Sequence, residues 1–136
     1  MKKVVLLVMM LCVSYVGISQ ITIRDEESVE LYHTPMGLHK LVKFKSDTVV
    51  YFAFYFRDSQ YSQIVDYKYL TFNDVQEVKD FFTLVISSID EKKEYELNIG
   101  TQRVSLVKKT GIVMLMAKGG YCYLNKKQAQ GVIDAL

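Results

Sequence analysis

Two pairs of tyrosines are the side chains in this sequence best placed to do chemistry. Tyr51 and Tyr55 alternate with Phe52, Phe54 and Phe56, while Tyr67 and Tyr69 share one parity of the run Gln63 to Leu70, in a chain with ten tyrosines among 136 residues. Aromatic rings on an open sheet face stack bases or sugars, at about 1–3 kcal/mol per stacked base. Turned toward a second layer, the same rings pair across strands for about 0.2–1 kcal/mol each. The phenylalanine parity is the more apolar and is the expected core face. Tyr51, Tyr55, Tyr67 and Tyr69 are therefore the candidate ligand-binding set, for a sugar or single-stranded nucleic acid. The competing expectation is that the other half of the protein covers them.

Other chemistry is sparse. Cys12 lies in the apolar N-terminal run, so Cys122 is the only thiol after it, and a thiol-dependent enzyme would need it with His33 or His39 as base. Gly119-Gly120-Tyr121-Cys122-Tyr123 reads as a hairpin strand, without the helix N-terminus or cation that gives a cysteine thiolate character. Burial is the expectation for a thiol so placed. His33 and His39 flank Thr34-Pro35-Met36-Gly37, a turn composition that would draw the rings together. Asp25, Glu26, Glu27 and Glu30 precede them, but the spacing fits no metal motif, so no metal and no cofactor is assigned. Nucleophile-elbow serine, phosphate-binding loop, zinc-protease helix and dinucleotide fingerprint are all missing from the sequence. No catalytic residue is assigned, and the chain reads as non-enzymatic.

The elements that must carry these residues follow from periodicity. Val42 to Phe56 reads as two strands joined by a tight turn at Ser46-Asp47-Thr48, with a further strand at Gln63 to Leu70 and a weaker one near Val29 to His33. The period then changes. Val75, Val78, Phe82, Val85 and Ile89 fall three and four apart, one stripe of a helix that Thr71 would cap and the charged run Asp90 to Glu94 would end. Tyr95 to Ile99, Arg103 to Lys108, Ile112 to Ala117 and Tyr121 to Leu124 read as four more strands. A last helix follows, capped by Asn125 with Gln128 three residues on, and with Ala129, Val132, Ile133 and Leu136 inward.

Tyr69-Leu70-Thr71 lies over Tyr123-Leu124-Asn125, and without gaps Val75, Val78 and Phe82 then lie over Ala129, Val132 and Leu136. This reads as an α+β domain over 20–136 built from two antiparallel four-strand-plus-helix units, about 20–92 and 93–136. Each unit has a sheet face too broad for its own helix, so the halves should pack together. The doubled layout is similar to that of the whirly and PUR-type single-stranded nucleic-acid binders, without any motif of either family, and layout does not determine function.

Lys2 and Lys3, the apolar run Val4 to Val16 and the small residues Gly17 and Ser19 form a three-part secretory signal, expected to be cleaved after Ser19. About 13 apolar residues fall short of the roughly 20 a spanning helix needs, and no span is expected in the mature chain. The expected location is exported, periplasmic or extracellular. Net charge is +2 at pH 7, and loss of Lys2 and Lys3 leaves a neutral chain. Neutrality gives nucleic acid no electrostatic case as partner, leaving only the tyrosine face as a route to a single strand. The charge is nevertheless uneven, with basic residues in excess after residue 96 and acidic ones before it, which suits contact between halves or between copies. The sequence thus points first to an exported binding module acting through protein contacts, as a homodimer or with a protein partner. A ligand-binding tyrosine face comes second and a thiol enzyme using Cys122 third.

Overall fold

A computed structural model describes residues 26–136; the expected signal segment 1–19 and Asp25 lie outside the described residues. Two four-stranded antiparallel sheets are each followed by a helix, the expected α+β plan. The first sheet comprises β1 (Glu27–His33), β2 (His39–Lys45), β3 (Val50–Arg57) and β4 (Tyr67–Phe72), with a short 3-10 turn at Pro35–Gly37, and leads into α1 (Val75–Asp90). The second comprises β5 (Tyr95–Ile99), β6 (Gln102–Lys109), β7 (Ile112–Ala117) and β8 (Gly120–Asn125), and leads into α2 (Lys126–Asp134). In both sheets spatial order follows chain order. No helix among the described residues is long and apolar enough to cross a membrane.

Strand alternation sorts the residues onto two faces. On β3, Phe52, Phe54 and Phe56 point inward and are buried, and Leu41, Leu70 and Phe72 join them from the neighbouring strands. Val104, Leu106, Val113, Leu115, Cys122 and Leu124 make the same inner layer on the second sheet. α1 is the wedge between the two layers. Phe82 meets Phe54 edge-on at 4.9 Å and Phe81 at 5.1 Å, while the helix also lies against β6, β7 and β8 of the other sheet and against α2. The helix of the first unit thus covers much of the second unit's sheet, and the inner faces share one continuous core.

Several local expectations are corrected. β4 begins at Tyr67, so Gln63 to Asp66 belong to a loop, where Ile64 and Val65 are exposed. That loop is closed by the Asp58 N–H donating to the Asp66 carbonyl at 2.7 Å, just beyond the last ladder pair, Arg57 with Tyr67. Thr71 does not cap α1. The strand continues through Phe72, buried opposite Phe52, and Asp74 caps the helix by accepting from the Glu77 N–H at 2.8 Å. The inward stripe becomes Val78, Phe81, Phe82, Val85 and Ser88, while Val75 is 39% exposed.

The internal match shifts accordingly. By ladder position Leu70 corresponds to Cys122 and Phe72 to Leu124, since Leu70 pairs with Phe54 and Cys122 with Leu115, the central inward residues of their sheets. By cap, Asp74 corresponds to Asn125, which places Val78, Phe81, Phe82 and Val85 over Ala129, Val132, Ile133 and Leu136. A slip of two residues keeps every strand residue on its face, which is why the gapless match looked consistent. The second junction forms as expected. Asn125 accepts from the Gln128 N–H at 2.8 Å and Gln128 accepts from the Asn125 N–H at 3.0 Å, a reciprocal capping box.

Two polar clips join the units, one at the buried Asp58 and one at the part-buried Gln102. The Asp58 carboxylate accepts from the backbone N–H groups of Tyr121 (3.2 Å) and Gln60 (3.1 Å) and from the Gln60 amide (3.1 Å). Gly120 is required beside it, because a Cβ there would stand 2.5 Å from the Asp58 carboxylate. The Gln102 side chain acts as a surrogate strand on the edge of β4. Its amide oxygen accepts from the Thr71 N–H at 2.9 Å and its nitrogen donates to the Thr71 carbonyl at 2.8 Å.

Candidate functional site

The four tyrosines all lie on the outer face of the first sheet, which neither helix nor second sheet covers. Tyr67 and Tyr69 are 43% and 48% exposed, and Tyr51 and Tyr55 are half-buried. The expectation that the other half covers this face is therefore overturned. The helices and the second sheet's inner layer are satisfied by the phenylalanine parity instead.

The ladder sets the rows. Tyr55 stands between Lys40 on β2 and Tyr69 on β4, while Tyr51 stands opposite Phe44 and Arg57 opposite Tyr67. Between the tyrosines of β3 lies Ala53, only 1% exposed, whose small side chain makes the floor of the face. The Tyr55 and Tyr69 rings touch at 5.5 Å between centroids with a 38° tilt, and the Lys40 ammonium sits 5.1 Å from the Tyr55 ring centre, within cation–π range. Tyr67 is fixed from its far end, the hydroxyl donating to the Gly37 carbonyl at 3.0 Å.

Tyr51 is separate from this group. It stacks on Phe44 at 5.0 Å, and its hydroxyl donates to Glu26 at 2.7 Å. That hydrogen bond, which holds the phenol protonated, chiefly pushes its pKa up to about 12. Burial followed by the neighbouring Tyr69 raises Tyr55. The structure thus brings Tyr55, Tyr67 and Tyr69 together and leaves Tyr51 at the other end of β3.

A cleft of about 480 Å³ opens beside the grouped rings, lined by Glu30, His33, Gly37, Lys40, Tyr55 and Tyr67. Glu30 and His33 pair at 2.8 Å along the edge strand β1, brought to one face by the register shift at Leu31. Glu26 and Glu30, which in the sequence fit no metal motif, are thus fittings of the aromatic face. Lys40 was missed altogether. A turn confined to Ser46–Thr48 would set Lys45 opposite Val49, whereas the turn includes Val49, sets Lys45 opposite Val50, and so brings Lys40 opposite Tyr55.

The two histidines end on opposite faces. His33 borders the outer cleft, while His39 is buried on the inner face, its ring stacked on Phe54 at 5.9 Å. Burial pushes its pKa down to about 4, opposed by a hydrogen bond to the Tyr123 backbone, and its Nδ1 has no partner among the described residues. Among the described residues no group of three or more His, Cys, Asp or Glu is placed to hold a metal ion. Cys122 is 1% exposed in the inner layer of β8, and burial, with the nearby Asp58 carboxylate second, drives its thiol far above the ordinary range. A thiol with neither access nor thiolate character has no means of attacking a substrate.

The second sheet also has an open outer face, of different make. Met116 pairs with Tyr121 and Met114 with Tyr123, and Val107 of β6 stands opposite Met114. Tyr121 and Tyr123 meet edge-on at 5.7 Å, and Met116 and Tyr123 are each 42% exposed. At the margin Arg103 and Glu96 face each other at 3.6 Å, both well exposed. The sequence signal for this face was the alternation of Met114 and Met116 against Val113 and Leu115.

Compared with known proteins, the chain matches no family model, no curated protein and no solved structure.

Proposed function

We propose that the chain is an exported, non-enzymatic interaction module that acts through protein contacts, with the outer face of its second sheet seated on the same face of a second copy. The observation that carries the reading is the row of Met114, Met116, Tyr121 and Tyr123, left uncovered by both helices on a regular four-stranded surface. Protein interfaces are enriched at their centres in aromatic residues and methionine and depleted there in charge, with charges at the rim. This face has that arrangement.

A two-fold contact must be self-complementary, because each patch meets its own copy. Arg103 and Glu96 supply one cation and one anion side by side at the margin, so two copies can place unlike charges opposite each other. The poverty of catalytic groups among the described residues supports the non-enzymatic part: the Cys122 thiol is buried, and His33 and His39 are divided between two faces.

Sedimentation equilibrium of the purified protein tests the reading. A mass of two chains at micromolar concentration is expected, falling to one chain in Met116→Glu with the far-ultraviolet circular dichroism retained. A one-chain mass throughout, up to millimolar protein, contradicts it.

A further inference from the structure

The geometry points to a second site with a different ligand: the outer cleft of the first sheet binds a neutral saccharide. This goes beyond the self-association reading and uses none of the residues of the second sheet.

At about 480 Å³ the cleft falls in the range of small-ligand sites, about 300–1,000 Å³. One wall is aromatic and held in place. The Tyr67 ring is anchored by its hydroxyl to the Gly37 carbonyl at 3.0 Å, and the Tyr55 ring is gripped between Tyr69 at 5.5 Å and the Lys40 ammonium at 5.1 Å. Rings already fixed lose little conformational freedom when a ligand arrives, which favours affinity from a small contact area. The rest of the lining is polar, with the Glu30 carboxylate bonded to His33 at 2.8 Å and the Lys40 ammonium beside Tyr55. A sugar ring has the matching two-sided character. Its C–H face packs on a tyrosine, while its hydroxyls both donate, as a carboxylate requires, and accept, as an ammonium requires.

Charge separates this ligand from the other that a tyrosine face suggests. The cleft is lined by one carboxylate, Glu30, paired with the His33 imidazole, and by one ammonium, Lys40, and a further carboxylate, Glu26, is bound to Tyr51 on the same face. A nucleic-acid strand needs several cations along its phosphates, and the lining of this cleft supplies one lysine. Successive bases also need separate stacking platforms. Here Tyr55 and Tyr69 are in mutual contact, and Tyr51 lies four residues away along β3, about 13 Å at strand rise. A neutral, hydroxyl-rich ring meets these conditions where a polyanion does not.

The experiment is titration of the purified protein with cellotriose, maltotriose, mannotriose, chitotriose and oligothymidylate, followed by calorimetry and by amide shifts in nuclear magnetic resonance spectra. The expected result is saturable binding of at least one neutral trisaccharide at sub-millimolar concentration, with shifts centred on Lys40, Tyr55 and Tyr67. Tyr55→Ala should weaken it at least 10-fold, on the order of the loss of one stacked ring. Glu30→Gln and Lys40→Ala, at the solvent margin, should each weaken it several-fold without unfolding the protein, and Met116→Glu should leave it unchanged. Silence from all four trisaccharides at millimolar concentration overturns the proposal. So does binding that Glu30→Gln, Lys40→Ala and Tyr55→Ala all leave intact, or oligothymidylate binding tighter than any trisaccharide and lost with added salt. None of these results bears on the mass of the protein, so this site and the self-association face fail separately.

Discussion

The two sheets share a strand plan and an inner layer but differ on their outer faces. On the first, side chains are tied down by their own chain: Tyr51 to Glu26, Tyr67 to Gly37, Lys40 over Tyr55, with a cleft beside Tyr55 and Tyr67. On the second, Met114, Met116, Tyr121 and Tyr123 form an apolar row with charge only at its margin. A duplicated fold has one inner face per unit to satisfy its core, and that requirement holds both inner layers alike. The outer faces are free of it, so they can diverge, one toward fixed rings around a small-ligand cleft and the other toward adaptable methionines that suit a broad contact.

The sharpest way to break this contrast is to show that the outer faces also hold the fold. Phe54→Ala and Leu115→Ala, at the centres of the two inner layers, should each lower the unfolding free energy by about 3–5 kcal/mol in urea titrations. Tyr69→Ala and Met116→Ala should cost less than about 1 kcal/mol, within the range of surface changes. Equal costs for inner and outer substitutions would remove the distinction.

Next in size are the clips that make two units one core. Asp58→Ala empties a buried carboxylate site and leaves the part-buried N–H donors of Tyr121 and Gln60 without their acceptor, and should cost about 2 kcal/mol. Gly120→Ala should cost a similar amount through the clash with Asp58. Gln102→Ala, which frees one strand edge close to solvent, should cost about 1 kcal/mol. If the units were independent, the first two would melt one half alone, giving two transitions by circular dichroism; a single transition is expected.

The seam also has a pH dependence of fixed sign. His39 holds a pKa of about 4 in the folded chain against an ordinary 6.5, so the unfolded chain takes up the proton first as pH falls. Stability should be full above the ordinary value and decline as pH drops toward 4, by about 3 kcal/mol at roughly 1.4 kcal/mol per pH unit. His39→Phe should remove that part of the slope, measured as the difference between the two proteins' urea midpoints at pH 7 and pH 4.

What could be read from the sequence was whatever chain geometry alone determines. The tyrosine and phenylalanine parities of β3 were legible because side chains alternate whatever the surroundings, and the start of α2 was legible because Asn125 and Gln128 cap it locally. The start of α1 was not, because β4 runs on to Phe72 only by virtue of the buried pairing with Phe52. Lys40 and the cleft depended on one extra residue in the β2–β3 turn, which decides every cross-strand partner. Asp58 and Gln102 were illegible for a different reason. Their partners lie 63 and 31 residues away, and no local pattern announces a contact at that distance.

The self-association face is tested most directly by mixing protein labelled at its methionine methyl groups with protein labelled only at its tyrosine rings, and recording isotope-filtered contacts between copies. Cross-peaks from Met114 and Met116 of one copy to Tyr121 and Tyr123 of the other are the expected result. A mixed sample with no such cross-peaks, or with contacts only to Tyr55 and Tyr69, would contradict the assignment of protein contact to the second sheet.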